Sequence, residues 1–526
     1  MKKKLLTTAL IGVMLIGMFS LSSCGKTSDG GGTPGGGERE DLKVVDAEWY
    51  GIDVYQLDSS SNLQQLVSES LFEWDTDKNE IVDGTCTDWT VSEDGLTITF
   101  NVPDGMYYST GEQVEPEDVK ASIEHGQKVS PYADGYDNIK SIDIDGRQVT
   151  LHLSNYRSDM LYNFTSDFMC IIDKGELDTM TDDQLMWGAH PYGMFYLDEY
   201  VSGSEVKLLR NDKYITHNPL AKNKGASKFA SVDATFNVEG YTALESLKNG
   251  DVDFLFSVSN DDRSQLEGLD SVTIAESSYP EIDFIEVNTT AGPFQDKNLR
   301  KAFALLLDRE ALCDLTDGAA IPAYSMIFDT MQNFNKDAKD WFQKNLANNH
   351  DEGIKLIEAA GYTKGSDGFY QKDGQVLTFN FYASSSSLSS VLAEGLQGQF
   401  QNYGIQINLN SIDWNYVHEQ VKSDDYDFAR ESLAWAEPIL ILNTCYYDKN
   451  APTATDAYYA EVKDIAATVD SDERTKKIGD IQMKMFENID ILPFYSEIGH
   501  LAYSSGLSGV KINSDGSLDW NDVGWA

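Results

Sequence analysis

The sequence predicts an α/β fold spread over more than one domain. Segments with strand alternation and segments with helical spacing follow one another through most of the chain, which is typical of layered α/β proteins. The length of 526 residues exceeds the size of one ordinary domain. Hydrophobic residues make up 41% of the chain, which is enough to fill sizeable cores and argues against disorder.

The clearest strand and helix lie in EIDFIEVNTTAGPFQDKNLRKAFALLLDREAL, residues 281–312. The apolar run from Ile282 to Val287 predicts a strand with little exposed surface on either face. Asp296 stands where an N-cap would accept the first free N–H groups of a helix. Apolar residues then recur at three- and four-residue spacing, so we expect Arg300 and Lys301 to remain in water on the opposite face.

The N-terminus has the pattern of an export signal. Lys2 to Lys4 precede an apolar segment that is on the short side for a membrane span. The following LSSCG resembles a bacterial lipobox, in which Cys24 would be lipidated and become the new N-terminus. Residues 1–23 are therefore predicted to be a lipoprotein signal peptide. Residues 24–40 would be the lipid-bearing cysteine and a flexible Gly-rich linker, whose reach is about 20 to 24 Å.

Local patterns also predict elements elsewhere. Lys43 to Asp46 is predicted as an edge strand. SEDG, residues 92–95, is predicted as the turn of a β-hairpin between two alternating runs. DTDKN, residues 75–79, fits a hairpin turn better than a calcium loop, because the glycine and glutamate that such a loop requires are replaced. Residues 377–414 predict a βαβ unit whose helix ends at Gly404.

Several of these segments resemble, in the same order, the signatures of one protein family. TDWTVSEDGLTITFNV resembles the family block "W.vS.DGltyTF", and EVNTTAGPFQDKNLRKAFALLLDREAL resembles "FN…PPF.D.RVR.A…A.DRE". DDYDFARESLAWAEPILILNT resembles "g.yD……gW.aD…P". The family is that of the family 5 extracellular solute-binding proteins, the peptide, dipeptide and nickel receptors of ABC importers. The resemblance covers approximately residues 65–440.

This resemblance implies a periplasmic-binding-protein-like fold of type II, with two lobes, a hinge and an extra inserted small domain. Lobe I would comprise residues 41–70, 185–280 and 493–526. The inserted domain would be residues 71–184, and lobe II residues 281–492. A solute would be trapped by closure of the lobes about the hinge and then presented to a permease.

The resemblance also implies candidate ligand-binding residues in the crevice between the lobes, and these are Ser60, Asn62, Trp414, Arg430, Trp435 and Glu437. In the family's peptide receptors, an Asp in the segment that matches DDYDFARESLAWAEPILILNT holds the peptide ammonium, because a charge-assisted pair fixes the end of the ligand. Glu437 either replaces that Asp or corresponds to a Glu-Pro pair that lies near it in the family. In the second case this chain lacks the ammonium anchor. The serine and asparagine are equally explained as turn formers, and the two tryptophans as core residues.

Composition excludes some functions. The formal net charge is −46, and no basic face is visible, so nucleic acid is not an expected partner. The acidity either favours cationic ligands or solvates the surface of a secreted protein. The histidines show no metal-binding spacing and no catalytic motif is present, so no metal, cofactor or enzymatic activity is expected. Cys86, Cys170, Cys313 and Cys445 form no CxxC pattern and are either paired or buried as free thiols.

These observations predict a membrane-anchored extracellular substrate-binding component of an ABC importer for peptides. Expected partners are a peptide or other small solute, the permease and ATPase subunits, and the membrane through the lipid on Cys24. We expect a monomer on the extracellular face of the cell membrane, which is the periplasmic side if the cell has an outer membrane. The open alternatives are a nickel chelate, haem or oligosaccharide as the solute, and a surface sensor or adhesin. A glycosidase is disfavoured, because the sequence singles out no pair of carboxylates.

Overall fold

The computed structural model describes residues 39–526, except 79, 279–280, 424, 436, 450 and 514–515. The predicted signal peptide, Cys24 and nearly all of the predicted linker lie outside these residues.

The strands in chain order are β1 (Asp41–Asp46), β2 (Phe72–Asp75), β3 (Glu80–Asp83), β4 (Thr87–Val91), β5 (Thr97–Asn101), β6 (Ile139–Asp145), β7 (Gln148–Leu153), β8 (Phe195–Val201), β9 (Glu205–Arg210), β10 (Ser231–Phe236), β11 (Phe254–Leu255), β12 (Val272–Ser278), β13 (Glu281–Val287), β14 (Ala320–Pro322), β15 (Thr363–Lys364), β16 (Tyr370–Lys372), β17 (Gln375–Val376), β18 (Thr378–Ser384), β19 (Gln406–Ile412), β20 (Phe428–Ala434), β21 (Ile491–Ser504), β22 (Leu507–Ser508) and β23 (Gly524–Trp525).

The α-helices are α1 (Gln64–Val67), α2 (Pro116–Val129), α3 (Ser158–Asn163), α4 (Lys174–Thr179), α5 (Asp182–Gly188), α6 (Gly240–Asn249), α7 (Asn260–Leu266), α8 (Lys297–Leu306), α9 (Arg309–Cys313), α10 (Lys336–Leu346), α11 (His350–Ala359), α12 (Ser387–Tyr403), α13 (Trp414–Lys422), α14 (Pro438–Thr444), α15 (Asp456–Ala466) and α16 (Ser471–Asn488).

The predicted buried strand and its helix are confirmed. β13 is buried from Ile282 to Val287 and pairs with β20 on one side and β21 on the other. Asp296 caps α8 by accepting the N–H of Asn298 at 2.8 Å. The expectation that Arg300 stays in water is wrong, because it is buried and donates to the carbonyls of Phe294 and Asn488. Backbone acceptors satisfy the guanidinium there, and helical spacing does not reveal them.

One large sheet contains strands from both halves of the chain, in the order β19-β18-β20-β13-β21-β11-β1-β10-β9-β8, with β12 and β14 also paired to β21. β1 is parallel to both β10 and β11, so the prediction of an edge strand is wrong. The partners that make it a central strand come from residues 231–236 and 254–255, far away in sequence. The predicted βαβ unit is confirmed, because β18 and β19 are parallel and α12 connects them.

Gly404 ends α12 in a left-handed conformation with φ +85°. A Cβ atom at this position would lie 2.3 Å from the carbonyl oxygen of Gly368. The turn therefore requires glycine both for its backbone conformation and for the close approach of the backbone at Gly368.

Two large apolar cores lie in different parts of the molecule. One core is built from residues between 282 and 495, and we call this part lobe II. The other is built from residues between 42 and 254 together with residues between 501 and 523, and we call it lobe I; from here on this name includes residues 71–184. The antiparallel sheet β4-β5-β7-β6 and α2 lie within residues 71–184, and their apolar side chains belong to the core of lobe I.

The long strand β21 joins the two lobes. Its first part, Ile491 to Tyr495, pairs with β13 of lobe II, and its last part, Ile498 to Ser504, pairs with β12 of lobe I. β12 of lobe I ends at Ser278 and β13 of lobe II begins at Glu281, so in the described residues this part of the chain and β21 pass between the lobes side by side and antiparallel. A two-stranded connection of this kind can bend while each lobe stays intact.

Candidate functional site

The residues predicted to bind the ligand come from both lobes, at or near the ends of strands. In open α/β sheets, ligands bind outside the carboxyl ends of the strands. β1 of lobe I ends at Asp46 and β20 of lobe II ends at Ala434. Ser60 and Asn62 follow β1 in sequence, and Trp435 and Glu437 follow β20. Arg430 lies within β20, and Trp414 begins α13, which packs against β20.

On the lobe I side, Asn62 is exposed and donates its side-chain amide to Asp46 Oδ1 at 2.9 Å. Asp46 is buried, and burial raises the pKa of its carboxyl group despite the hydrogen bond from Asn62. Ser60 is half-buried two residues earlier. Asn62 therefore orients the buried carboxyl group of Asp46 at the carboxyl end of β1. The sequence patterns did not single out Asp46 as a site residue.

On the lobe II side, the structure brings Arg430 and Trp414 together. Arg430 is buried, and its guanidinium lies 5.5 Å from the centre of the Trp414 ring. It forms an ion pair with Asp283 of the neighbouring strand and donates from Nε to the hydroxyl of Tyr495 at 3.1 Å. Burial raises the pKa of Asp283 well above its ordinary value, and the positive charge of Arg430 opposes that rise. This guanidinium thus lies against a buried carboxyl group of its own lobe.

Two further carboxylates surround the same guanidinium. Glu497 and Glu281 approach Arg430 Nη2 at 3.7 and 4.0 Å, and their side chains remain partly exposed. Burial and then Glu281 raise the pKa of Glu497, against the effect of Arg430. Three carboxylates therefore face one guanidinium beside the hinge, and this excess of negative charge suits a cationic group better than an anionic one.

Glu437 has a different environment from the one expected of an exposed anchor. It is 1% exposed and caps α14, where it accepts the N–H of Leu440 at 2.8 Å. Burial and then the neighbouring Asp159 of lobe I raise its pKa to about 8. The structure thus places Glu437 where lobe II meets α3 of lobe I.

Trp435 is half-buried and packs against the core of lobe II. The structure brings Trp414 and Arg430 into direct contact, whereas Ser60 and Asn62 belong to the other lobe. Sequence reasoning missed Asp46, Glu281, Asp283 and Glu497. The signal for two of them was present, because Glu281 and Asp283 are acidic residues in a strand that otherwise reads as buried.

The chemistry of the described residues favours binding through charge and aromatic contact. Among the residues that the structure describes, no group of three or more His, Cys, Asp or Glu side chains could hold a metal ion. Cys86, Cys170, Cys313 and Cys445 are all buried free thiols, which resolves the alternative left open by the sequence. Burial raises the pKa of Cys86 and Cys445, which makes these thiols poor nucleophiles. None of the helices in the described ranges is both long and apolar enough to cross a membrane.

Solved structures share this architecture. NikA from Brucella suis in complex with Fe(III)-EDTA superimposes with a TM-score of 0.77 at 18% identity, covering 92% of this chain and 100% of that chain. The oligopeptide-binding protein AppA from Bacillus subtilis in complex with a nonapeptide gives a TM-score of 0.66 at 19% identity, covering 93% and 99%. These similarities confirm the predicted fold class, which is the two-lobed, periplasmic-binding-protein-like α/β fold.

Sequence comparison gives the family. The profile described as bacterial extracellular solute-binding proteins, family 5, middle region, matches residues 80–451, which is more than half of the chain. The chain therefore belongs to the family 5 bacterial extracellular solute-binding proteins. It is 23% identical to the oligopeptide-binding protein AppA of Bacillus subtilis, over 79% of this chain and 78% of that protein. It is 22% identical to the probable D,D-dipeptide-binding periplasmic protein DdpA of Escherichia coli, over 86% of each chain.

Proposed function

We propose that this protein is the lipid-anchored, extracellular substrate-binding component of an ABC importer, and that it captures peptides by closure of its two lobes. The observation that carries the proposal is the pair of adjacent segments through which the chain crosses between the lobes. A hinge of this kind lets a solute that binds both lobes stabilise the closed form. The closed form is then delivered to a membrane permease without chemical change to the solute.

The names of the relatives support peptides as the solute class, since two of them are named as oligopeptide- or dipeptide-binding proteins. The charge around Arg430 supports a cationic contact near the hinge, which a peptide ammonium or a basic side chain can provide. Trp414 and Trp435 provide aromatic surface that accepts varied side chains. The lipobox-like LSSCG supports anchoring through Cys24.

A thermal-shift screen tests this proposal. The probes are di- to pentapeptides, nickel with free histidine, haem and oligosaccharides, each added to the purified chain at millimolar or lower concentration. A true solute raises the melting temperature by mass action, and about 100 times its Kd in free ligand stabilises the protein by about 2.7 kcal/mol. A shift with peptides alone supports the proposal, whereas a shift with another class replaces peptide by that class. The absence of any shift, together with turnover of a glycoside or ester, would contradict a binding function.

Among peptides, matched pairs with a free and an acetylated N-terminus test whether the ammonium is recognised. We expect the free form to bind at least tenfold more tightly, because acetylation removes the charge that the carboxylates beside the hinge favour. Glu437→Gln tests whether Glu437 contributes to that recognition. If this variant still distinguishes peptides with a free N-terminus from acetylated ones as the wild type does, Glu437 does not bind the ammonium, and Glu281 and Glu497 remain as its candidate partners.

A further inference from the structure

The lobes also contact each other away from the hinge. α3 of lobe I packs against α14 of lobe II. We call the contact formed by Tyr156, Asp159, Glu437, Val469 and Arg474 the latch. Tyr156 belongs to the apolar core of lobe I, while α14 contributes to the core of lobe II.

Close packing at the latch extends to the turn between β4 and β5. A Cβ atom on Gly95 would lie 2.8 Å from Val469 Cγ2 and 2.8 Å from Tyr156 Cβ. The charge of Arg474 in lobe II acts on Tyr156 of lobe I and lowers its pKa, against the larger effect of burial. Tyr156, Asp159, Glu437 and Arg474 are buried in this contact, while Val469 lies at its exposed edge.

Two carboxyl groups from opposite lobes are buried in this contact. Asp159 is 2% and Glu437 is 1% exposed. Asp159 is ion-paired with Arg157 of its own lobe, and Arg157 also contacts Asp137 at 3.2 Å. Arg474 of lobe II donates to Asn333 Oδ1 at 2.9 Å and to the carbonyl of Thr468 at 2.7 Å. Both arginines are thus held by groups of their own lobe. The two carboxyl groups are buried where α3 packs against α14, close enough for the charge of Asp159 to raise the pKa of Glu437.

We propose that Glu437 and Asp159 make closure of the lobes proton-dependent, so that the latch closes with a proton bound to this carboxyl pair and opens when that proton is lost. This latch proposal rests on the proposed function in one respect, which is that closure of the lobes is the step that traps the solute. Glu437 acts in it as a positioning residue, which controls the arrangement of the lobes.

The sign of the effect follows from the two states of Glu437. In the closed contact, burial and then Asp159 raise its pKa to about 8, although the N–H groups of Leu440 and Ile439 and the charge of Arg474 lower it. The proposal requires that separation of the lobes lets water reach Glu437, so that its pKa falls toward the ordinary value of 4.5. Between these values the closed form binds more protons than the open form, so rising pH favours opening. The closure equilibrium changes by up to about tenfold per pH unit within this window.

The other groups that face Glu437 do not reverse this sign. Burial raises the pKa of Tyr156, so its hydroxyl stays protonated throughout the window. The charge of Arg474 lowers the pKa of Glu437 but does not outweigh burial and Asp159. Asp159, with its ion pair to Arg157, supplies the negative charge that disfavours ionisation of Glu437.

Small-angle X-ray scattering of the solute-free protein at pH 5 and pH 8.5 tests the latch. We expect a larger radius of gyration at pH 8.5 than at pH 5, because the lobes separate when the carboxyl pair loses its proton. Glu437→Gln keeps an oxygen that can cap α14 but cannot ionise, and it should remove most of this difference. Asp159→Asn removes the opposing charge and should reduce the difference independently, so the test does not depend on one variant.

Glu473→Gln is the matched control, because it makes the same chemical change on an exposed residue of α16, the helix that carries Arg474. We expect it to keep the full difference between the two pH values. The latch proposal is overturned if the wild-type protein shows no difference, or if Glu437→Gln and Asp159→Asn both keep it. Since no solute is used, the result is independent of the thermal-shift screen, and either proposal can fail alone.

Discussion

Asp283 and Glu437 are both buried carboxyl groups of lobe II, but their partners come from different places. Asp283 pairs with Arg430 on the neighbouring strand of the same lobe, so the pair persists whatever the arrangement of the lobes. The charge of Asp159 in lobe I acts on Glu437 through the contact of α3 with α14, so this interaction depends on the lobes touching. Opposite charges within one lobe hold a sheet together, whereas like charges across a boundary make that boundary easy to open.

The largest expected effect comes from breaking the pair within the lobe. Arg430→Met should lower the free energy of unfolding by about 3–5 kcal/mol, because it leaves Asp283 buried without its cation. Urea unfolding at pH 7 measures this change. The double variant Arg430→Met with Asp283→Asn should recover a large part of the loss. Equal instability of the single and double variants would show that the ion pair is not what stabilises these strands.

A third buried carboxyl group sharpens the comparison, because it is buried within lobe II and away from the latch. Glu286 is 0% exposed and accepts the N–H of Asp448 at 3.0 Å, and burial raises its pKa well above the ordinary value of 4.5. The folded protein therefore keeps a proton that the unfolded chain loses, so stability falls as pH rises above about 4.5. The contribution of one such group to the slope is at most about 1.4 kcal/mol per pH unit.

Glu286→Gln should make the fall of unfolding free energy between pH 5 and pH 8 less steep, as measured by urea unfolding at several pH values. The same variant should leave the pH dependence of the radius of gyration unchanged, because both lobe arrangements bury Glu286 equally. If Glu286→Gln keeps the wild-type slope of unfolding free energy against pH, or changes the pH dependence of the radius of gyration, then Glu286 and Glu437 do not differ in the way proposed.

The smallest expected effect comes from a steric change at the latch. Gly95→Ala adds a Cβ atom that would collide with Val469 and Tyr156, so it should shift the protein toward the open form at both pH 5 and pH 8.5. Its left-handed backbone, φ +68°, also costs about 1 kcal/mol of stability. Gly146→Ala is the matched control, because it has φ +61° and open space around it. An equal radius of gyration in the two variants would contradict packing at the latch.

Local patterns in the sequence predicted much of the fold. The β4–β5 hairpin, the buried strand β13, the cap at Asp296 and the end of α12 at Gly404 were predicted because each depends on neighbouring residues. The central position of β1 and the burial of Arg300 were not predicted. Both depend on partners that are distant in sequence, namely the strands beside β1 and the carbonyl of Asn488.

The candidate site was predicted less completely than the fold. Trp414 and Arg430 lie together, but the sequence did not reveal that Arg430 is already paired with Asp283. Glu437 was considered only as a possible contact for a peptide ammonium, and that role stays a prediction. Its position against Asp159 depends on two segments about 280 residues apart, whose approach no local pattern encodes.

The sequence by itself determined which segments become strands and helices, and which family the chain resembles, because capping, periodicity and turn chemistry act over a few residues. Only the tertiary structure decided which charges are neutralised and which oppose each other. The reason is that the energy of a buried charge depends on its nearest partners and on the exclusion of water, and folding brings both from distant parts of the chain.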